Sequence, residues 1–152
     1  MQLLIMWFIV FQWARDDMML WVASLSFGIN SGAYVAEIVR SGIMSIDLGQ
    51  TEAGRSLGLN YVQTMRYIII PQAIKNILPA LGNELITLLK ETSVCGFIGL
   101  ADLTKGAMIV QSRTYAPYMP YISIAAIYLV LVLALTGLLN LLERRLRASD
   151  RR

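Results

Sequence analysis

Residues 114–142 run from Thr114 to Leu142 without one charged side chain, and residues 18–36 form a second charge-free run. A helix needs roughly 20 apolar residues to span a hydrocarbon core, so both runs are long enough to do so. Few water-soluble folds accommodate two such stretches in 152 residues. The chain is 57% hydrophobic and only 15% charged, whereas ordinary soluble domains carry about 25% charged residues. The expected class is an all-α integral membrane protein.

The remaining composition narrows the chemistry. There is no histidine, which excludes histidine-ligated metal sites and histidine-dependent catalysis within this chain. The single cysteine, Cys95, cannot form an intrachain disulfide and has no base partner in the sequence. Asp16, Asp17 and Asp102 make no recognisable catalytic pair. A membrane-embedded enzyme acting on lipid or peptide is therefore disfavoured. The net charge of +3 is spread over loops, apart from a basic C-terminus (Arg144, Arg145, Arg147, Arg151, Arg152). This is the pattern of a cytoplasmic end facing anionic headgroups, not a nucleic-acid footprint.

In chain order, residues 1–14 are apolar but short for a span and lack a basic stretch ahead of them. They read as an interfacial helix or as the tail of a helix that begins earlier. Residues 18–44 form the first span, with Ser26, Asn30, Ala33 and Glu37 on one face and Ser24, Gly28 and Ser31 on another. Small residues at that spacing let helices approach closely in lipid. Asn30 and Glu37 suit a polar pathway or a subunit contact, because ionisable groups within a span are costly. Residues 67–90 are interrupted by Pro71 and Pro79 and carry Gln72, Asn76, Asn83, Thr87 and Lys90 in a narrow stripe, with Glu84 and Glu91 beside it. That stripe fits either a soluble amphipathic helix over a core or a span facing a water-filled path. The flanking spans favour the second. Gly96 and Gly99 predict a short broken or re-entrant helix. Tyr115, Tyr118 and Tyr121 with Pro117 and Pro120 resemble an interfacial belt that opens the final span at residues 121–142. With the basic tail inside, Pro117 lies outside, Lys90 lies near the outer side, and the loop around residues 45–66 returns to the cytoplasm. About three spans result, with no internal repeat or low-complexity linker.

That loop is the most informative polar stretch. Residues 52–57 predict a short helix, and Gly58 predicts a left-handed residue that ends it. Asn60 with Gln63 predicts a capping box, and Pro71 predicts a bend or interruption of the helix that follows. The pattern Glu52-Ala53-Gly54, Gly58, then Ile68-Ile69-Ile70-Pro71 resembles the E-A-A loop of binding-protein-dependent ABC importer permeases. N-S-G-A-Y-V-A-E-I-V-R-S-G-I before it, with L-P-A-L-G-N-E-L-I-T-L-L-K-E-T-S-V and I-G-L-A-D-L-T after it, is similar to the polar amino-acid (histidine, glutamine, arginine) branch of that family.

The resemblance implies a type I ABC importer transmembrane fold over residues 1–152, with residues 45–66 as a cytoplasmic coupling loop. It places Glu52, Ala53, Gly54, Arg55, Gly58 and Pro71 at the junction with an ATPase. It makes Asn30, Glu37, Asn83, Glu84, Thr87, Lys90 and Glu91 the groups available to a polar amino acid, with intramembrane ion pairs such as Glu84–Lys90 or Lys90–Glu91 as the alternative role for the charged ones. It implies no cofactor in this chain: ATP and magnesium belong to a separate nucleotide-binding subunit, and no G-x-x-x-x-G-K-[ST] loop occurs here. The other implied partners are a second permease, identical or homologous, an extracytoplasmic binding protein and membrane lipid, in a bacterial inner membrane with the C-terminus cytoplasmic. Two departures stand out. The third position of the E-A-A signature is Gly54, a change worth up to about 1 kcal/mol of helix propensity. Members of the family also begin with about two further membrane helices and a basic segment before the region that residues 3–10 resemble. The chain is thus expected to be shortened at its front, as an excerpt of a working subunit, a short form, or a non-functional fragment.

Overall fold

The structure is a computed structural model that describes residues 1–148, with side chains to Arg145. Arg147, Arg151 and Arg152 of the basic tail lie outside the described side chains. Among the described residues the secondary structure is entirely helical. The helices are α1 (Gln2–Ile5), α2 (Met19–Met44), α3 (Leu48–Ser56), α4 (Tyr61–Thr64), α5 (Ile70–Glu91), α6 (Cys95–Ile98), α7 (Leu103–Thr114) and α8 (Met119–Ala148). Two stretches, Asp16–Met44 and Met119–Arg145, are long and apolar enough to cross a membrane. A third span results if Tyr61–Ile98 and Leu103–Thr114, bent by 44° at their junction, are counted as one.

The chain divides into two compact units. The first comprises Met1–Gly32 and Leu85–Thr136. Its core is Leu3, Ala23, Cys95 and Ile98, with Trp7, Met19, Phe27 and Leu100 packed around it. The N-terminal stretch is therefore anchored by Leu3, although it continues only as α1 and a wide π-turn, Met6–Val10. In lipid, such contacts act through close packing and hydrogen bonds rather than exclusion of water. The α8 residues of this unit stay largely uncovered, with Leu129, Val130 and Leu133 each about 60% exposed. Water would penalise an apolar surface of that extent, and a hydrocarbon phase does not.

The second unit comprises Ala33–Glu84 and the chain from Gly137 onward. Here Gly42 on α2 lies so close to α5 that a Cβ would fall 2.3 Å from Ile77 Cγ1. Gly82 on α5 makes a similar approach to Leu139 on α8. The small residues that bring helices together are thus Gly42 and Gly82. Around Gly28, from the row expected on sequence grounds, there is open space.

Pro71 does not end the helical run, but the regular α-helix is interrupted just ahead of it: α4 stops at Thr64 and α5 begins at Ile70, from where it continues through Pro79. The missing Pro71 N–H is accommodated upstream, where Met65–Ile69 forms a π-turn, and such widened turns relieve the clash that a proline ring makes with the preceding carbonyl. Gln72 Nε2 donates to the Ile68 carbonyl at 2.9 Å and supplies a side-chain donor to this loosened turn.

Candidate functional site

The loop between α2 and α5 is built from caps. Asp47 opens α3 by accepting the Gly49 N–H at 2.6 Å, so α3 begins at Leu48, four residues earlier than the sequence pattern indicates. It ends in a Schellman motif: the Leu59 N–H donates to the Gly54 carbonyl at 3.1 Å and the Gly58 N–H to the Arg55 carbonyl at 2.9 Å. This geometry needs the positive φ of +79° found at Gly58. Asn60 then closes the expected capping box, its side chain accepting from the Gln63 N–H at 2.9 Å while Gln63 Oε1 accepts from the Asn60 N–H at 2.9 Å. Each cap is worth about 1 kcal/mol. Together they fix a chain reversal that short helices could not hold by themselves.

The caps sort the loop residues into two sets. Glu52, Ala53 and Arg55 are exposed, and so are Leu57, Tyr61 and Val62. Gly54 is buried instead, facing Thr64 and Ile68 across the reversal. Its Cβ position would lie 2.8 Å from Thr64 Cγ2, 2.9 Å from Thr64 Oγ1 and 3.2 Å from Ile68 Cδ1. The glycine that reads as a weak spot in a helix is thus where the second helix of the loop packs against the first. Pro71 is exposed on the helix that follows.

Two polar contacts tie the loop to α5. Asn76 Nδ2 donates to Ser45 Oγ at 2.9 Å, and Ser45 Oγ in turn donates to the Gly42 carbonyl at 2.8 Å. Gln72 Nε2 also reaches Gln50 Oε1 at 3.4 Å, a long contact. Between the end of α2, the start of α3 and the π-turn lies an apolar cleft of about 370 Å³ lined by Ile43, Leu48, Met65 and Ile69 among others.

Of the polar residues expected along a pathway, the structure joins Asn30 to Glu91, sixty-one positions apart in sequence, with Asn30 Nδ2 donating to Glu91 Oε2 at 3.3 Å. Thr87 and Lys90 precede Glu91 on the same helix, Thr87 half-buried and Lys90 exposed. Asn83 and Glu84 belong to the second unit, as does Glu37. Glu37 is gripped by Arg40, whose Nε donates to Oε2 at 2.8 Å and whose second guanidinium nitrogen reaches Oε1 at 2.5 Å. Arg40 is the i+3 partner of Glu37, a pairing that helical spacing alone makes legible. The pair is exposed, so its contribution to stability is small. Among the described residues no three metal-ligating side chains come together.

Beyond Glu91 the chain turns a corner, and Asp102 holds it. Its Oδ1 accepts the Lys105 N–H at 2.7 Å as the N-cap of α7, and its Oδ2 accepts the Gly96 N–H of α6 at 3.1 Å. Gly99 closes α6 at φ +104°. Asp102 makes no catalytic pair in the sequence; an aspartate directly before Leu103, after a glycine-ended helix, is an N-cap signal.

These features define an all-helical membrane subunit with a capped reversal between α2 and α5, the latter a polar, proline-bearing helix leading to a glycine corner. The chain belongs to the family of binding-protein-dependent transport system inner membrane components, whose model matches residues 1–148. Members of this family are permease subunits rather than enzymes. The chain is 45% identical over 130 residues to the arginine transport system permease protein of Bacillus subtilis, covering 86% of this chain and 59% of that protein. It is 40% identical over 125 residues to the glutamine transport system permease protein of Escherichia coli, covering 82% of this chain and 57% of that protein. The chain thus spans less than three fifths of the length of these curated relatives. Among solved structures, an amino acid ABC transporter crystallised with histidines matches with a TM-score of 0.89 and 53% identity, over 95% of this chain and 67% of that one. The fold is that of a type I importer transmembrane subunit.

Proposed function

We propose that this chain acts as the membrane-spanning subunit of an ATP-driven importer of polar amino acids, with residues 45–66 as the coupling loop. The observation that carries this reading is the preformed loop. Its caps use up the backbone groups of the reversal and leave Glu52, Arg55, Leu57, Tyr61 and Val62 exposed together. A capped backbone that presents exposed apolar side chains together with an acidic and a basic residue suits insertion into a cleft of a cytoplasmic ATPase, where preorganisation lowers the entropy cost of docking. Movement imposed on α3 would pass through the Gly54–Thr64 packing and the Ser45–Asn76 bond into α5.

On this reading ATP and magnesium are held by the ATPase, a second permease completes the pathway, and a binding protein delivers the amino acid on the outer side. Glu91 and Asn30 offer a carboxylate and an amide to a zwitterion, with Asn83, Glu84, Thr87, Lys90 and Glu37 as further polar groups. The names of the relatives support arginine- or glutamine-like cargo. The basic end of α8 supports a cytoplasmic C-terminus in a bacterial inner membrane.

The test is charge reversal on the exposed face. Glu52→Lys and Arg55→Glu are expected to leave membrane insertion unchanged and to reduce co-purification of the ATPase at least tenfold. Full co-purification from both variants would refute the docking assignment.

A further inference from the structure

Gly54 and Thr64 make an unusual contact. Thr64 is 2% exposed, and its Oγ1 has no hydrogen-bond partner among the described residues. A threonine in a helix ordinarily turns its hydroxyl back to the carbonyl four residues earlier. Here that carbonyl, of Asn60, receives only the Thr64 N–H, at 2.9 Å, and Oγ1 lies instead 2.9 Å from where a Gly54 Cβ would sit. The same side chain brings its Cγ2 to 2.8 Å from that position. No alanine fits there unless Thr64 or the backbone moves. Toward its start, Leu48 and Thr51 of α3 border the apolar cleft. Gly54 is the glycine of α3 that approaches the second half of the reversal, meeting Thr64 and Ile68.

We propose that Thr64 is a positioning residue, packed into the notch left by the missing Cβ of Gly54, and that it makes the two halves of the loop move as one body. Positions 54 and 64 form a size-matched pair, glycine with threonine here, such that alanine at 54 requires a smaller residue at 64. The shape of Thr64 performs this role and its hydroxyl does not, so valine, of nearly the same shape, serves in its place. The effect on transport rests on the coupling reading above, whereas the effect on loop rigidity does not.

The test uses the assembled transporter in proteoliposomes, with radiolabelled arginine and glutamine as probes, and compares Gly54→Ala, Thr64→Val, Thr64→Ala and the double variant Gly54→Ala/Thr64→Ala. Two readouts are taken: amide hydrogen exchange across residues 48–69, and ATP hydrolysed per amino acid transported. Gly54→Ala is expected to raise exchange in α3 at least tenfold and to raise ATP consumed per amino acid at least fivefold, with the ATPase still bound. Thr64→Val is expected to stay within twofold of the parent on both readouts, and the double variant to exchange at least threefold more slowly than Gly54→Ala. Parental exchange in Gly54→Ala, no recovery in the double variant, or damage from Thr64→Val equal to that from Gly54→Ala would each overturn the proposal. Should the exchange order hold while the parent transports neither probe at the expense of ATP, the joint stands and the coupling reading falls.

Discussion

Asp102→Ala is expected to lower the melting temperature of the chain in detergent by roughly 5–15 °C, the shift that follows from a loss of about 2–4 kcal/mol in a chain of this size. The carboxylate does two jobs at the corner between α6 and α7. As the N-cap of α7 it satisfies the Lys105 N–H at 2.7 Å, and removing such a cap costs about 1 kcal/mol. Its other oxygen satisfies the Gly96 N–H at 3.1 Å. Gly96 is buried, so that donor would be left without a partner at a cost of about 1–3 kcal/mol. The substitutions should rank. Asp102→Asn keeps an acceptor for Lys105 but turns an amide donor toward the Gly96 N–H, and should fall between the parent and alanine. Gly96→Ala should match or exceed Asp102→Ala, because its Cβ would lie 2.6 Å from Asp102 Oδ1 and 2.8 Å from the Lys105 backbone nitrogen, and backbone cannot yield as a side-chain tip can. Thermal unfolding followed by size-exclusion chromatography reads all three. A melting temperature for Asp102→Ala within a degree of the parent would remove the corner from the list of structural determinants.

The parts of this fold that sequence displays are those governed by local rules. The Gly58 termination and the Asn60–Gln63 capping box follow from residue types at fixed spacing, and both occur where that spacing puts them. The apolar runs likewise show in composition, and both become long helices. Contacts that depend on which distant residue lies opposite are not displayed. Gly54 reads as a loss of helix propensity until Thr64 is found against it, ten residues later and across a reversal. Pro71 announces an interruption, but that it takes the form of a π-turn over Met65–Ile69 leaves no compositional mark. The polar groups of α2 and α5 illustrate both cases. Asn30 and Glu91 could be named as candidates from their cost within a span, yet only the packing of α2 near α5's end joins them at 3.3 Å. Helical periodicity puts Glu37 on the face of Asn30, yet its ion pair lies on its own helix, with Arg40.

The contrast between two glycines of α2 gives the second large effect. Gly42→Val is expected to cost about 2–4 kcal/mol, somewhat above the usual 1–3 kcal/mol for forcing added carbons into a packed contact. The contact is unusually close. A Cβ at this position would lie 2.3 Å from Ile77 Cγ1 and 3.1 Å from its Cδ1, and Cγ1 is not a free tip that can swing away. The neighbouring bond from Asn76 to Ser45, at 2.9 Å, holds the same stretch of α5 in place, so relief by sliding the helices would break it. Gly28→Ala is expected to do the reverse. Nothing lies within 4 Å of its Cβ position, and alanine in a helix interior is favoured over glycine by about 1 kcal/mol, so the isolated chain should gain slightly. The two variants carry added bulk on one helix and differ in what they face, which separates packing from a general intolerance of larger side chains. Detergent melting curves of the purified chain measure both, and equal destabilisation by Gly28→Ala and Gly42→Val would mean that the α2–α5 approach is not what the glycine at 42 is there to permit.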